Sequence, residues 1–283
     1  MTHPAPTQFK GWTIPGPRVD PPEHLRAPAE GETLDALSGH FKLFQLRDGH
    51  RFSTDDLLAA WYGTSWAPLA RTVLDLGSGI GSVGMTAAWR LPLARFVTVE
   101  AQTESVRLAR KSAEYNGLSH RYQIREGDFR SPDIIQPEEK FDLILGSPPY
   151  FPLGSGVTAE HPQKVACRFE LRGTVADYCS TAARHLEPGG LFACVFPMNP
   201  PEQNQRVFEG ARAAGLSIIR QRPIALREGE PPLLAVSAMM RASDLPEKIR
   251  DRTWVEPELI IRCKDGTVHP EYQAVKLSFG FPP

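Results

Sequence analysis

The sequence lacks the long apolar runs and the cysteine pairs that mark membrane and disulfide-bonded proteins. No hydrophobic stretch approaches the roughly 20 residues needed to span a bilayer, and the N-terminal MTHPAPTQFKGW has no apolar core of the secretory type. The cysteines at 167, 179, 194 and 263 form no C-x-x-C pair and no zinc-type cluster with histidine. We therefore expect a soluble cytoplasmic protein with reduced, structural cysteines and no bound metal.

The chain also lacks a surplus of charge of either sign. Its 32 Lys and Arg residues nearly balance its 33 Asp and Glu residues, which gives a formal net charge of -1. Broad, non-specific binding to nucleic acid needs a basic surface, so this composition argues against it but allows a local basic patch. The 283 residues suffice for one large domain or for a domain with additions.

Four segments can be distinguished along the chain, and none of them repeats at a solenoid period. Residues 1–33 are rich in Pro and Gly and predict a flexible arm. Residues 34–70 predict an N-terminal extension, in which FKLFQLRDGHRFS at 41–53 forms two short strands around an Asp-Gly turn and TDDLLAAWYG begins a helix. Residues 71–240 are expected to form the main domain, and 241–283 an appendage with one or two strands.

Within the main domain, strand-like and helix-like segments alternate. This alternation predicts an α/β fold with a seven-stranded, doubly wound, mostly parallel sheet and helices on both faces. The EPGG sequence at 187–190 is expected to stop a helix and form a turn. The strands are predicted at 73–76, 94–100, 122–126, 142–146, 191–196, 217–224 and 233–240, and the helices at 82–90, 103–116 and 174–186.

A glycine-rich loop, in VLDLGSGIGSVGM, follows the first of these strands. Gly77, Gly79 and Gly81 allow the backbone to turn tightly and to approach a ligand closely. The frame Gly79-x-Gly81-x-x-Gly84 matches the dinucleotide fingerprint, and Glu100 ends the next strand, where an acid can bind ribose hydroxyls. This stretch by itself therefore permits NAD and an oxidoreductase.

The same loop has a second frame, Asp75-x-Gly77-x-Gly79-x-Gly81, with the acid inside the strand. In this frame it resembles the first motif of the Rossmann-like methyltransferases that use S-adenosylmethionine. The resemblance implies that Asp75 and the glycines bind the methionine part and the ribose, and that Glu100 accepts hydrogen bonds from the two ribose hydroxyls.

A third strand is followed directly by Gly127-Asp128-Phe129. In the methyltransferases that the glycine loop resembles, an Asp at this place accepts a hydrogen bond from the adenine amino group of the cofactor, and the adjacent apolar residue packs on the ring. The resemblance therefore implies that Asp128 and Phe129 bind adenine. Neither residue has a role in hydride transfer, which weighs against NAD.

The fourth strand ends in Ser147-Pro148-Pro149-Tyr150, and its prolines cannot continue a sheet ladder. An exocyclic amine on a heteroaromatic ring is a poor nucleophile because its lone pair is delocalised into the ring. Its methylation needs acceptors that hold the N–H groups and a clamp that keeps the planar group in line with the sulfonium. A hydroxyl and a carbonyl can supply the acceptors, and an aromatic ring can stack on a base, worth about 1–3 kcal/mol.

These four residues resemble the (Asn/Asp/Ser)-Pro-Pro-(Tyr/Phe) motif of the amino-methyltransferases, which act on adenine N6, cytosine N4 or the glutamine amide. The resemblance implies that Ser147 and the Pro148 carbonyl bind the target amine and that Tyr150 stacks on the planar group. The motif order is that of the adenine and glutamine enzymes, which usually carry Asn or Asp where this chain has Ser147. Serine is better known from the cytosine-N4 enzymes, so the identity of the amine stays open.

Two flanking segments narrow the resemblance, which spans residues 40–240. The segment from Gln45 through Asp55 to a Leu-Leu helix resembles that of the bacterial tRNA adenine-N6 methyltransferases acting on a valine tRNA, where it borders the cofactor pocket. ACRFELRGTV resembles the same family's stretch after the catalytic motif and implies that Arg168 and Glu170 lie near the substrate.

We therefore expect an S-adenosylmethionine-dependent N-methyltransferase acting on adenine N6 in structured RNA such as tRNA. The alternative substrates are a protein glutamine, an rRNA or DNA base and a small molecule. Two further alternatives are an NAD-dependent oxidoreductase and a cofactor-binding scaffold without catalysis.

Overall fold

Two small sheets precede the main fold. The structure, a computed structural model, describes residues 8–9, 11–151, 163, 165 and 169–282. In it, β1 (Gln8–Phe9) pairs with β2 (Trp12–Thr13), and β3 (Glu32–Ser38) pairs antiparallel with β4 (Phe41–Leu46). The hairpin predicted within residues 41–53 is therefore wrong, because the partner of β4 lies before it in the sequence.

The polar sequence of β3, ETLDALS, explains this error. Its first residue, Glu32, is buried as the partner of two cations on a later helix: Arg107 Nη1 lies 2.7 Å and Lys111 Nζ 2.5 Å from its carboxylate oxygens. From the sequence alone, Glu32 is expected to be exposed. In the structure its charge is neutralised by residues more than 70 positions away, and its burial allows β3 to pack.

The main sheet has nine described strands in the order β12-β10-β11-β9-β8-β5-β6-β7, with β13 also pairing with β10. The pairs from β7 to β9 are parallel, whereas β11 runs antiparallel between β9 and β10. The predicted α/β fold with a mostly parallel sheet is confirmed. The strands are β5 (Thr72–Leu76), β6 (Arg95–Glu100), β7 (Tyr122–Glu126), β8 (Phe141–Gly146), β9 (Leu186–Pro197), β10 (Leu216–Arg227), β11 (Leu234–Arg241), β12 (Trp254–Val255) and β13 (Leu259–Arg262).

Helices cover both faces of this sheet, and two buried apolar clusters lie beneath them. Leu143 and Leu145 of β8 join the cluster under the first three helices, whereas Ile144 points into the cluster under α4 and α5. This alternation follows from the two-residue period of a strand. The helices are α1 (Thr54–Trp66), α2 (Ser82–Arg90), α3 (Thr103–Tyr115), α4 (Val175–His185), α5 (Pro201–Ala213), α6 (Glu247–Arg250) and α7 (Pro270–Leu277).

The EPGG segment ends α4 at His185, as predicted, but it does not form a separate turn. Residues 187–190 lie inside β9 as a bulge, since Leu186 pairs with Phe141 and Leu191 pairs with Leu143. Gly189 provides the positive φ of 76° that this irregularity requires. Both glycines thus serve the strand rather than a loop.

The segment after β11 returns to the sheet edge and to the N-terminal hairpin. A strand at LIIR was predicted and is present as β13, and α7 packs on it. Phe279 follows α7 fully buried, and its carbonyl accepts the Gly39 N–H at 3.1 Å. Among the described residues, no helix combines the length and the apolarity needed to cross a bilayer.

Candidate active site

A cavity of about 710 Å³ lies at the carboxyl ends of β5, β6 and β8, closed on one side by the first turn of α1. The edge of a parallel sheet at which successive strands end is the usual ligand site of this fold. Four separate motifs of the sequence meet there. The candidate residues that line the cavity are Asp55, Gly77, Gly79, Glu100, Asp128, Phe129, Ser147, Pro148, Pro149 and Tyr150.

Four other candidate residues either do not line the cavity or lie outside the described residues. Asp75 is 1 % exposed beneath the glycine loop, where its Oδ2 accepts the Gly84 N–H at 2.9 Å. Gly81 is the residue before α2, with φ 87°. Glu170 is ion-paired with Arg206 of α5, and Arg168 lies outside the described residues.

The glycine loop leaves open space above its middle residue. Gly79 has φ 54°, and a Cβ built on it would have no atom within 4 Å. At Gly77, φ is 61° and a Cβ would collide with the Tyr178 hydroxyl of α4. The first glycine therefore permits close packing of the fold, whereas the second exposes its backbone to the cavity, where a ligand can approach it.

Glu100 is fixed at the end of β6 by two backbone amides. Its Oε2 accepts the Gly79 N–H at 2.9 Å and its Oε1 accepts the Gln102 N–H at 2.7 Å. The side chain is almost fully buried, and this desolvation raises the pKa of its carboxyl group. A carboxylate held in this way at the cavity wall has the chemistry required to accept hydrogen bonds from ribose hydroxyls.

Asp128 and Phe129 line the cavity just beyond the end of β7. Arg130 donates to both carboxylate oxygens of Asp128, with Nη2–Oδ2 at 2.5 Å, and this bonding lowers the pKa of Asp128. The carboxylate is therefore ionised at neutral pH and can only accept hydrogen bonds. Phe129 is buried, with its ring edge-on to Tyr178 at a centroid distance of 4.6 Å. The two side chains present an acceptor beside an apolar surface, a combination that suits adenine.

Tyr150 is held by a hydrogen bond and by an aromatic contact. Its hydroxyl donates to Asp55 Oδ2 at 2.6 Å, and its ring lies edge-on to Phe196 at 5.7 Å. The Ser147 side chain hydrogen-bonds to the same phenol. Because the phenol donates its proton to Asp55, Ser147 is the donor in its contact with the phenol. The Ser147 oxygen can therefore still accept a hydrogen bond from another group.

Four carboxylates surround the cavity and the loop beneath it: the buried Asp56, Asp75 and Glu100 and the partly buried Asp55. Burial raises the pKa of each, and it raises that of Asp56 to about 6. The charges of Asp56 and Glu100 also raise the pKa of Asp75. Such a cluster favours a cation in the cavity, because a bound positive charge relieves the repulsion among the carboxylates.

Sequence reasoning missed Asp56 and Tyr178, which line the cavity together with Arg172. Asp56 completes a capping box, since its Oδ2 accepts the Ser53 N–H at 3.1 Å. The sequence pattern at this position therefore indicates a helix cap and does not indicate that Asp56 lines the cavity. Tyr178 lies far along the chain from the glycine loop, so no local pattern marks it. Within the described ranges, no cluster of three or more His, Cys, Asp or Glu side chains forms a metal site.

The chain is similar in sequence to known methyltransferases. Over 232 residues, 81% of this chain and 89% of the relative, the sequence is 25% identical to a tRNA1(Val) (adenine(37)-N6)-methyltransferase of Vibrio cholerae. Over 83 residues, 29% of this chain and 28% of the relative, it is 34% identical to a release factor glutamine methyltransferase of Aliivibrio fischeri.

The fold also resembles a solved structure. That structure, described as a predicted O-methyltransferase of Agrobacterium tumefaciens, superposes with a TM-score of 0.61 at 20% identity and covers 81% of this chain and 98% of its own. At this identity the likeness concerns the fold alone. The sequence model of the family "Methyltransferase small domain" matches residues 56–215, more than half of the chain. The chain therefore belongs to the Methyltransferase small domain family and is an S-adenosylmethionine-dependent methyltransferase, as the sequence predicted.

Proposed function

We propose that the protein transfers a methyl group to adenine N6 in a structured RNA such as tRNA. The observation that carries this proposal is the position of Ser147 and Tyr150, which line the same cavity as the glycine loop and Glu100. An acceptor and an aromatic ring thus stand beside the groups suited to the cofactor. The relative from Vibrio cholerae, named for tRNA adenine-N6 methylation, supports the choice of amine and of RNA.

The cofactor is bound at the ends of three strands in this proposal. Glu100 accepts hydrogen bonds from the ribose hydroxyls, Asp128 accepts one from the adenine amino group, and Phe129 packs against the adenine ring. The backbone at Gly77 and Gly79 approaches the methionine part. Asp75 acts from behind the loop, since it holds the Gly84 N–H at the start of α2.

The SPPY segment positions the target amine. Ser147 and the Pro148 carbonyl accept its N–H groups, which directs the lone pair toward the methyl group, and Tyr150 stacks on the adenine ring. When bound, S-adenosylmethionine would supply the methyl group from its sulfonium: the sulfur–methyl bond breaks as the carbon–nitrogen bond forms, the neutral thioether leaves, and the amine proton passes to solvent water. The carboxylates near the cavity favour binding of the cationic cofactor over the neutral thioether product, which assists release of that product.

Asp55 acts through Tyr150 in this scheme. The 2.6 Å bond between the phenol and Asp55 fixes the ring plane, and the Ser147 contact to the same phenol fixes the serine rotamer. A serine has a shorter side chain than an asparagine and offers no amide carbonyl. The phenol compensates by holding the serine oxygen at one place, where it can accept an N–H from the base.

Mass spectrometry of nucleosides tests the proposal directly. Total tRNA and rRNA from cells that lack the gene should be deficient in N6-methyladenosine at one site, and the purified protein with S-adenosylmethionine should restore it. A methyl group found instead on a protein glutamine would contradict the RNA proposal and would favour the activity of the release-factor relative. A tRNA substrate agrees with the cytoplasmic location expected from the sequence.

A further inference from the structure

A second cavity, of about 560 Å³, lies where the end of β10 meets β13, α7 and the first residue of α1. Its wall carries three cationic side chains, Arg227, Arg262 and Lys276, and one carboxylate, Glu230. None of these residues falls within residues 56–215, which the family model matches. Arg227 ends β10 of the main sheet, whereas Arg262 and Lys276 belong to the segment that follows β11.

The first turn of α1 separates this cavity from the candidate active site. Thr54 lines the second cavity and Asp55 lines the first, and consecutive Cα atoms are about 3.8 Å apart. The Thr54 side chain hydrogen-bonds to Tyr272 of α7, which lines the second cavity as well. A polymer whose base enters the active site can thus contact both cavities at once.

The positive charge of the second cavity is only partly neutralised. The Arg227–Glu230 pair is 3.7 Å long and about half exposed on both sides, a geometry worth little energy. Arg262 donates one Nη1 bond to the Gly266 carbonyl, which orients the guanidinium without cancelling its charge. Elsewhere, cations such as Arg125 and Arg107 lie within 2.7 Å of carboxylates. The local excess of positive charge is notable in a chain of net charge -1.

We propose that this cavity binds the phosphate backbone of the RNA next to the target base. The inference rests on the proposed function. Two guanidinium groups and an ammonium group suit phosphate oxygens, because arginine binds phosphate through paired N–H bonds and lysine binds it as a point charge. Leu226, 40 % exposed at the same wall, offers an apolar surface for a ribose or a base.

The test compares two triple variants with equal changes in charge. R227Q/R262Q/K276Q removes the cations of the cavity. R71Q/R95Q/R212Q removes three exposed cations at the opposite, amino-terminal edge of the sheet and serves as the control. An unmodified tRNA transcript is titrated against each protein by fluorescence anisotropy between 50 and 300 mM salt (roughly the range in which phosphate contacts dominate). Calorimetric binding of S-adenosylmethionine confirms that both variants are folded.

The cavity variant should bind tRNA at least 10-fold more weakly than the wild type at physiological salt. Its plot of log affinity against log salt should be less steep by about 2, at about 0.7 for each lost phosphate contact on a single strand. The control and the affinity for S-adenosylmethionine should not change. Equal tRNA affinity and equal slopes in the two triple variants would overturn the inference.

Failure of the proposed function gives a different pattern. If no RNA is methylated but only the cavity variant loses RNA affinity, the phosphate-binding inference is supported and the proposed methylation of RNA is wrong. If the methyl group is found on a protein, and the cavity variant methylates that protein with an unchanged KM, the phosphate-binding inference is wrong as well.

Discussion

The phenol of Tyr150 donates to the Asp55 carboxylate at 2.6 Å, and this bond joins the SPPY segment to the first turn of α1. The two residues come from the main domain and from the segment that precedes it, 95 positions apart. In the proposed scheme this bond makes Asp55 a positioning residue for Tyr150, whereas the sequence resemblance implied a contact with the cofactor.

Phenylalanine at position 150 tests this relationship. Y150F keeps the ring and removes the bond to Asp55, so kcat/KM for RNA should fall about 10-fold or more, the lower end expected for a hydrogen bond to a charged group. D55A should resemble Y150F, and D55N should retain most activity because its amide oxygen can still accept the phenol proton. The affinity for S-adenosylmethionine should be unchanged in all three variants. A large loss of that affinity in D55A would restore the cofactor role.

The proposed role of Ser147 as an acceptor for the target amine is tested by variants that remove or keep its hydroxyl. S147A removes the acceptor and should lower kcat by about 100-fold, comparable to the loss of one transition-state hydrogen-bond partner, with little change in tRNA affinity. S147T keeps a hydroxyl and should retain measurable turnover. Equal activity of S147A and the wild type in single-turnover methylation would show that the amine is held elsewhere.

Glu100 should govern binding of the cofactor rather than of RNA. Because E100Q replaces one of two acceptor oxygens by a donor, S-adenosylmethionine should bind about 10- to 100-fold more weakly, as for a charged hydrogen bond. E126Q, at the end of the neighbouring β7, changes a partly exposed glutamate that does not line the cavity and serves as the control. Calorimetry distinguishes them, and equal affinities would remove Glu100 from the cofactor site.

Cofactor affinity should depend on pH through the buried carboxylates. The pKa of Asp56, about 6, lies above its usual 3.8, so Asp56 gains a proton as the pH falls through 6. The cavity then loses negative charge, and the sulfonium should bind more weakly at pH 5 than at pH 7. In D56N this pH dependence should be smaller. Calorimetric affinities of wild type and D56N that change equally between pH 5 and 7 would refute this role of Asp56.

The same raised pKa affects stability in the opposite direction. The folded state favours the protonated form of Asp56. The resulting contribution of Asp56 to the free energy of unfolding is therefore fully present below pH 3.8 and is lost as the pH rises to 6. The full difference amounts to about 3 kcal/mol at 1.36 kcal/mol per pH unit. Urea unfolding should therefore show a smaller loss of stability between pH 4 and pH 6 in D56N than in the wild type.

Gly84 should be essential for packing. A Cβ there would lie 2.8 Å from Asp75 Oδ2 and would collide with the Tyr122 hydroxyl, so G84A should destabilise the fold by about 1–3 kcal/mol through overpacking. The double variant G84A/Y122F removes the hydroxyl that the added carbon meets and should recover part of that loss. Chemical denaturation that shows no recovery in the double variant would contradict the packing argument.

The meeting of several candidate residues at one cavity was predictable because they stand at the ends of strands in one parallel sheet. Glu100 ends β6, Asp128 follows β7 and Ser147 follows β8, and the fold brings the carboxyl ends of these strands to one edge. Asp56 and Tyr178 were not predictable, because tertiary packing of α1 and α4 decides that they reach the cavity. The pairing of β3 was missed for a similar reason, since burial of Glu32 depends on Arg107 and Lys111 of α3.

The strand order also bears on how enzymes of this architecture diversify. The groups suited to the cofactor follow β5, β6 and β7 on one side of β8, whereas the basic cavity belongs to β10 and β13 on the other. The antiparallel course of β11 places the β10–β11 connection at the same edge as the active site. Under the two proposals, insertions and charge changes in that connection would alter substrate choice over evolutionary time without disturbing the half of the sheet assigned to the methyl donor.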